Sequence, residues 1–77
     1  MFAAVNGLFV VATSRLAGAD RDRFAGLAHV YADPRSTNPA EALFEVMAGE
    51  LHQSEEDAKQ DALECAMAEV ESRRQGG

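Results

Sequence analysis

Bases are scarce in the second half of this 77-residue sequence, and cysteine is scarce throughout. Residues 39–77 hold ten acids against Lys59, Arg73 and Arg74, whereas residues 1–38 hold four arginines against three aspartates. One half therefore carries −7 and the other +1, which gives the net −6 of the whole chain. Charge of one sign clustered in this way steers association and repels like-charged polymers. A single cysteine, Cys65, excludes an internal disulfide, so nothing calls for an oxidising compartment and a cytoplasmic protein is expected. No run reaches the ~18 apolar residues of a membrane helix. Repeats, low-complexity tracts and interdomain linkers are also missing, so residues 1–77 are expected to form one domain, about 1–33 β-rich and 38–74 helical.

Motifs for chemistry are lacking too. Serine, histidine and acids are all present, yet no spacing marks a catalytic triad. His52 with Glu55 and Glu56 falls short of the three or four placed ligands that zinc needs. Cys65 sits at the margin of an apolar helix face, where a buried inert thiol is expected rather than a nucleophile. A non-enzymatic protein without cofactor or metal is the expectation. The N-terminal apolar stretch Phe2 to Ala12, with Ala17-Gly18-Ala19 after it, has some features of a cleaved leader. No base precedes the stretch, however, Asn6-Gly7 interrupts it, and Arg15 follows it, so it is read as part of the fold.

What is present is patterned. Asn6-Gly7 separates two Val- and Phe-rich segments and readily takes positive φ at both centres of a type I′ turn, so strands are predicted at about 2–5 and 8–14. Residues 23–32 alternate as a third strand, with Phe24, Ala28 and Val30 on one face and His29 and Tyr31 on the other. His29 and Tyr31 are placed at the edge of the core, a polar contact patch being the other reading. The same region also fits a helix through Phe24, Leu27, Ala28 and Tyr31, and an all-α bundle is the alternative fold. Asn38-Pro39-Ala40-Glu41 combines an Asx cap, an N1 proline and an early glutamate, which predicts a helix over 39–52 with the stripe Ala40, Leu43, Phe44, Met47 and Leu51. Ser54 followed by Glu55, Glu56 and Asp57 predicts a second helix over 55–73, closed by Arg73, Arg74 and Gly76-Gly77. The expected fold is thus α+β, a hairpin or three-stranded meander followed by two C-terminal helices.

On a wheel at about 100° per residue, Ala58, Ala62, Ala66, Val70, Leu63 and Met67 share one side of the second helix, and small residues there allow a close approach to a sheet or to the first helix. Asp57, Asp61, Glu64 and Glu71 fall opposite, within roughly 80° of one another. Neighbouring acids at i+3 and i+4 repel by about 0.2–0.5 kcal/mol per pair, and a helix built only for solubility would interleave bases. Lys59 and Arg73 instead answer Glu55 and Glu69, off the stripe. Glu41 and Glu45 add a smaller patch. These six residues form the candidate partner-binding set; the opposing reading is a solvated face that resists aggregation.

The hairpin at Asn6-Gly7, the Ala-rich C-terminal helix with the stripe Asp57, Asp61, Glu64 and Glu71, and the single small acidic domain resemble the small acidic anti-CRISPR proteins of phages. The resemblance implies a phage-encoded inhibitor that binds a CRISPR effector complex, presenting acids where target DNA would lie. It makes the stripe the contact and turns the slightly basic first half away. The expected partner is a protein with a basic surface, with no direct contact to nucleic acid or membrane, and the chain is a monomer or homodimer. An excess of seven acids is modest beside DNA, with one charge per about 1.7 Å, so shape and apolar contacts must contribute to binding. The alternative function is an antitoxin-like interaction or dimerisation module working through the apolar helix face.

Overall fold

Asn6 and Gly7 take φ of 50° and 81°, the left-handed pair that a type I′ turn demands. The turn joins β1 (Phe2–Val5) to β2 (Leu8–Ala17), and a second reversal, with Gly18 at φ 93° and Arg21 at φ 53°, leads into β3 (Arg23–Tyr31). β4 (Phe44–Met47) and one long helix, α1 (Glu55–Gly76), complete the described secondary structure apart from a 3-10 turn at Pro39–Glu41. The four strands form an antiparallel sheet in the order β1-β2-β3-β4, each paired with its neighbour in sequence. This computed structural model describes residues 2–33, 35 and 38–76. The side chains of Pro39, Arg74 and Gln75, and the residues Met1, Pro34, Ser36, Thr37 and Gly77, lie outside the described parts; they include the expected helix-end groups Pro39, Arg74 and Gly77 and most of the polar connector.

The fold is therefore α+β as expected, with the third strand formed, but the described residues form one α-helix and not two. The segment predicted as the first helix makes a single 3-10 turn and then an edge strand. Its cap chemistry is real but local: Ala40 N donates to Asn38 Oδ1 at 3.0 Å and Glu41 N to the Asn38 carbonyl at 2.8 Å. At Leu43 the backbone amide turns to the Val30 carbonyl, 2.7 Å away, and Phe44–Met47 then pairs with the free side of β3. A helix here would have left the nine-residue β3 with a row of unpaired amides and carbonyls along one edge. The strand also needs only Phe44, Val46 and Ala48 inside, a period of two, and it releases Leu43, Met47 and Leu51 of the predicted stripe to solvent.

Directly opposed residues of antiparallel strands share a face. Val10 with Val30 and Ala12 with Ala28 therefore point to one side, where they meet Ala62, Leu63, Ala66 and Val70 of α1. The predicted sorting of β3 holds, since Phe24, Ala28 and Val30 lie towards the helix and His29 and Tyr31 away from it. Small residues set the spacing. At Gly26 the helix backbone is so close that a Cβ would overlap the Ala58 carbonyl oxygen and stand 2.9 Å from the Ala62 Cβ. The Ala-rich face of α1 is thus spent on the sheet, and the largest fully buried side chains are only Val10 and Val30. No helix among the described residues is long and apolar enough to cross a membrane.

Candidate functional site

Ser54 accepts the first helical bond of α1, from Ala58 N at 3.1 Å, and Glu55, Glu56 and Asp57 occupy the first turn, where the free amides favour negative charge. With Ala58, Ala62, Ala66 and Val70 pinned inward, the helical period must send Asp57 and Glu64 outward, and both are exposed. The other two stripe acids sit at the margins and reach down to the sheet. Glu71 accepts a hydrogen bond from the Asn6 side-chain amide at 2.9 Å, at the β1–β2 turn. Asp61 accepts one from His52 Nε2 at 2.7 Å on the β4 side. The stripe thus straddles the helix, its flanks tied to the sheet and its crest in water.

His52 reaches Asp61 because the chain after β4 returns to the sheet for one residue. Phe24 N donates to the His52 carbonyl at 2.7 Å and His52 N to the Phe24 carbonyl at 2.9 Å, which fixes the imidazole beneath the helix. The partner of His52 is therefore Asp61, nine residues on, and not Glu55 or Glu56, the acids nearest to it in sequence. The side chains of both residues are 25% exposed. The ring beside it holds the Asp61 carboxyl below its ordinary range, against the opposing effect of burial. Cys65, one turn on, donates from Sγ to Asp61 Oδ1 at 3.5 Å. Burial pushes its thiol pKa up, and the Asp61 carboxylate pushes it further.

The order of this trio decides its chemistry. Asp61 stands between the imidazole and the thiol, each bound to a different carboxylate oxygen. A nucleophilic cysteine needs a base or a positive charge against its sulfur, whereas here a carboxylate stabilises the protonated form. The three donors point at one another through hydrogens and not at a shared point, and among the described residues no group of three or more His, Cys, Asp and Glu is arranged to hold a metal. What the trio does is anchor a cleft of about 630 Å³. Four carboxylates line it, those of Glu50, Asp57, Asp61 and Glu64. Such a recess suits a guanidinium or ammonium group, which gains from several acceptors and from partial shelter from water.

Two candidate acids lie elsewhere. Glu45 is on β4 and faces the side of the sheet away from α1, where its carboxylate meets His29 Nε2 at 3.2 Å. Glu41 is exposed in the 3-10 turn. The six-residue set is therefore not one surface. Glu50 joins the cleft unforeseen, because its approach to α1 depends on β4 being a strand. His29 and Tyr31 stack with ring centroids 6.3 Å apart, and Tyr31 is buried while His29 is half-buried. A second recess, between the hairpin turn and the end of α1, is lined by Leu8, Phe44, Val70 and Arg73, with the Arg73 guanidinium 4.0 Å above the Phe44 ring. Arg73 also binds Glu69 at 3.0 Å, as the i, i+4 spacing predicts. No protein family, curated protein or solved structure matches the chain.

Proposed function

We propose that this protein is a non-enzymatic binder that presents the outer face of α1 to a basic surface of a protein partner, receiving a lysine or arginine side chain in the cleft lined by Glu50, Asp57, Asp61 and Glu64. The carrying observation is the convergence of those four carboxylates around a recess beside a helix whose apolar face is already buried on the sheet. Ala58, Ala62, Leu63, Ala66 and Val70 of α1 are buried, and of the predicted apolar side Met67 is exposed, so the charged face is most of what the described part of the helix offers. Such association is fast and salt-sensitive, and a surface that ordinarily holds nucleic acid has the complementary charge. In its most specific form the proposal is the one that the resemblance implies, an anti-CRISPR-like phage inhibitor occupying the DNA path of a CRISPR effector complex.

The test is affinity capture from host lysate with the immobilised chain at about 0.05 M and about 0.5 M salt, with duplex DNA as competitor. The expected result is a basic nucleic-acid-binding protein, released by salt and by DNA, and lost when Asp57 and Glu64 are both replaced by lysine. Capture that ignores both salt and the double substitution refutes the proposal.

A further inference from the structure

The side of the sheet that α1 does not cover carries large apolar side chains, as does the side that it covers. The covered side holds Val5, Val10, Val30 and Val46 with several alanines, together with Leu8, Phe24 and Phe44. The other carries Phe2, Phe9, Val11, Leu27, Tyr31 and Met47, placed there by the pairs Phe2 with Val11, Phe9 with Tyr31 and Leu27 with Met47. Phe2 is 69% exposed and Met47 59%. Only the far end, at Tyr31, is already buried. A domain of this size has little core to spare, and leaving Phe2 and Met47 in water, with Phe9, Val11 and Leu27 only half-buried, is costly.

We infer that this face packs against the same face of a second copy of the chain, forming a two-fold dimer with the sheets in the middle and the α1 helices outside. Charge selects this occupant. The charged residues within the strands are Arg15, Arg23 and Glu45, all on the open face, and they leave it close to neutral at +1. Arg15 and Arg23 sit together at the end of the sheet nearest the β2–β3 turn, and Glu45 is on the edge strand, which gives an apolar centre with a polar rim. The helix carries seven acids against three bases. Two copies meeting through their helices would press like charges together. Meeting through their sheets, which stack about 10 Å apart, they hold the helix axes about 30 Å apart, beyond a Debye length of about 8 Å.

Area sets the strength. Strands of four, ten, nine and four residues, at about 3.3 Å per residue and about 4.8 Å between strands, give roughly 430 Å² of flat face per copy. Two copies bury on the order of 900 Å² or more once side-chain relief is counted, near the lower limit for a specific interface. The dimer is therefore a weak one, with a dissociation constant on the order of 10–100 µM.

Sedimentation velocity of the whole chain from about 10 µM to about 1 mM tests this, spanning that range of dissociation constants. The expected result is a mass rising from 8.3 kDa to twice that value. Phe2→Lys with Met47→Lys changes two residues that the single chain already exposes, and it weakens the dimer at least tenfold while circular dichroism at low concentration stays that of the wild type. Thr13→Lys, exposed on the same face, does likewise and guards against a local effect of the first pair. Asp57→Asn with Glu64→Gln leaves the dimer unchanged, so this inference and the acidic-cleft proposal fail separately. A wild type that stays monomeric at about 1 mM overturns the inference. So does a dimer that survives both face variants, or one that the helix substitutions abolish.

Discussion

A methyl group added at Gly26 tests the central packing claim, that α1 lies against β3 with no room between them. The new Cβ would overlap the Ala58 carbonyl oxygen, stand 2.8 Å from that carbonyl carbon and 2.9 Å from the Ala62 Cβ. Two of the three obstacles are helix backbone, which cannot rotate aside. Ordinary carbon contacts begin near 3.5 Å, so α1 must retreat by roughly an ångström along the stretch where Ala58, Ala62 and Ala66 are fully buried. Overpacking of this kind costs about 1–3 kcal/mol, and Gly26→Ala should fall in the upper half of that range after the ~0.4–1 kcal/mol that a glycine-to-alanine change ordinarily returns through the unfolded chain. At about 4–8 °C per kcal/mol for a domain of this size, the melting temperature drops by roughly 8–24 °C in a thermal scan. Two other glycines separate steric from conformational causes. Gly49→Ala meets open space and should change stability by less than about 0.5 kcal/mol, while Gly7→Ala also meets open space but sits at φ 81° and should cost about 1 kcal/mol. A Gly26→Ala protein as stable as Gly49→Ala would mean that the helix does not approach β3 as described.

Three further outcomes follow from local geometry. Asp61 has a folded-state pKa below its ordinary value near 3.8, so its contribution is present above that value and is lost as pH falls through the lower, folded one. Asp61→Ala should therefore cost about 1–2 kcal/mol at neutral pH and progressively less below about pH 4, which denaturant melts at several pH values will show; a pH-independent difference refutes the His52 pairing. Cys65, its thiol pushed up by burial and by Asp61, should alkylate with iodoacetamide more slowly than free cysteine at pH ~8, and faster in Asp61→Ala. Arg21 holds φ 53° without being glycine or asparagine, so Arg21→Gly should stabilise the fold by about 0.5–1 kcal/mol, and a loss in its melting temperature would count against that turn.

The hairpin was legible because Asn-Gly has few other uses between β-rich flanks, and α1 was legible because cap, first-turn acids and a helical apolar period coincide over 55–73. The segment 39–52 was not. Its Asx cap and its i, i+3, i+4 stripe argued for a helix, and the period-two set Phe44, Val46, Ala48 was hidden among the same residues. What decided between them was the unpaired edge of β3, a demand made by another part of the chain and absent from the window itself. The same non-local step hid the cleft. Cys65 lies one helical turn from Asp61 and could have been paired with it on the wheel, but His52 and Glu50 come to that flank only when β4 is a strand and the chain bridges back to Phe24. The open face was half visible in the alternation of His29 and Tyr31; its meaning required knowing that the described residues supply one α-helix to a two-sided sheet.

That single helix also sharpens which acids carry the proposed binding. The stripe costs the helix about 0.2–0.5 kcal/mol for each of the pairs Asp57 with Asp61 and Asp61 with Glu64. The flank acids return something to the fold, since Asp61 holds His52 and Glu71 holds Asn6. The crest acids return less. Glu64 accepts only a 3.2 Å bond from the exposed Gln60, and Asp57 gains about 0.3–1 kcal/mol from the helix dipole while repelling Asp61. Neutralising both, by Asp57→Asn and Glu64→Gln, removes a small gain and a small repulsion together, so stability should shift by no more than about 0.5 kcal/mol. Residues that cost the fold almost nothing to remove and yet abolish partner capture are contact residues. If instead the double variant melts several degrees higher and captures the same partner, the crest is a solvated face, and the work of binding has to be sought on the open side of the sheet.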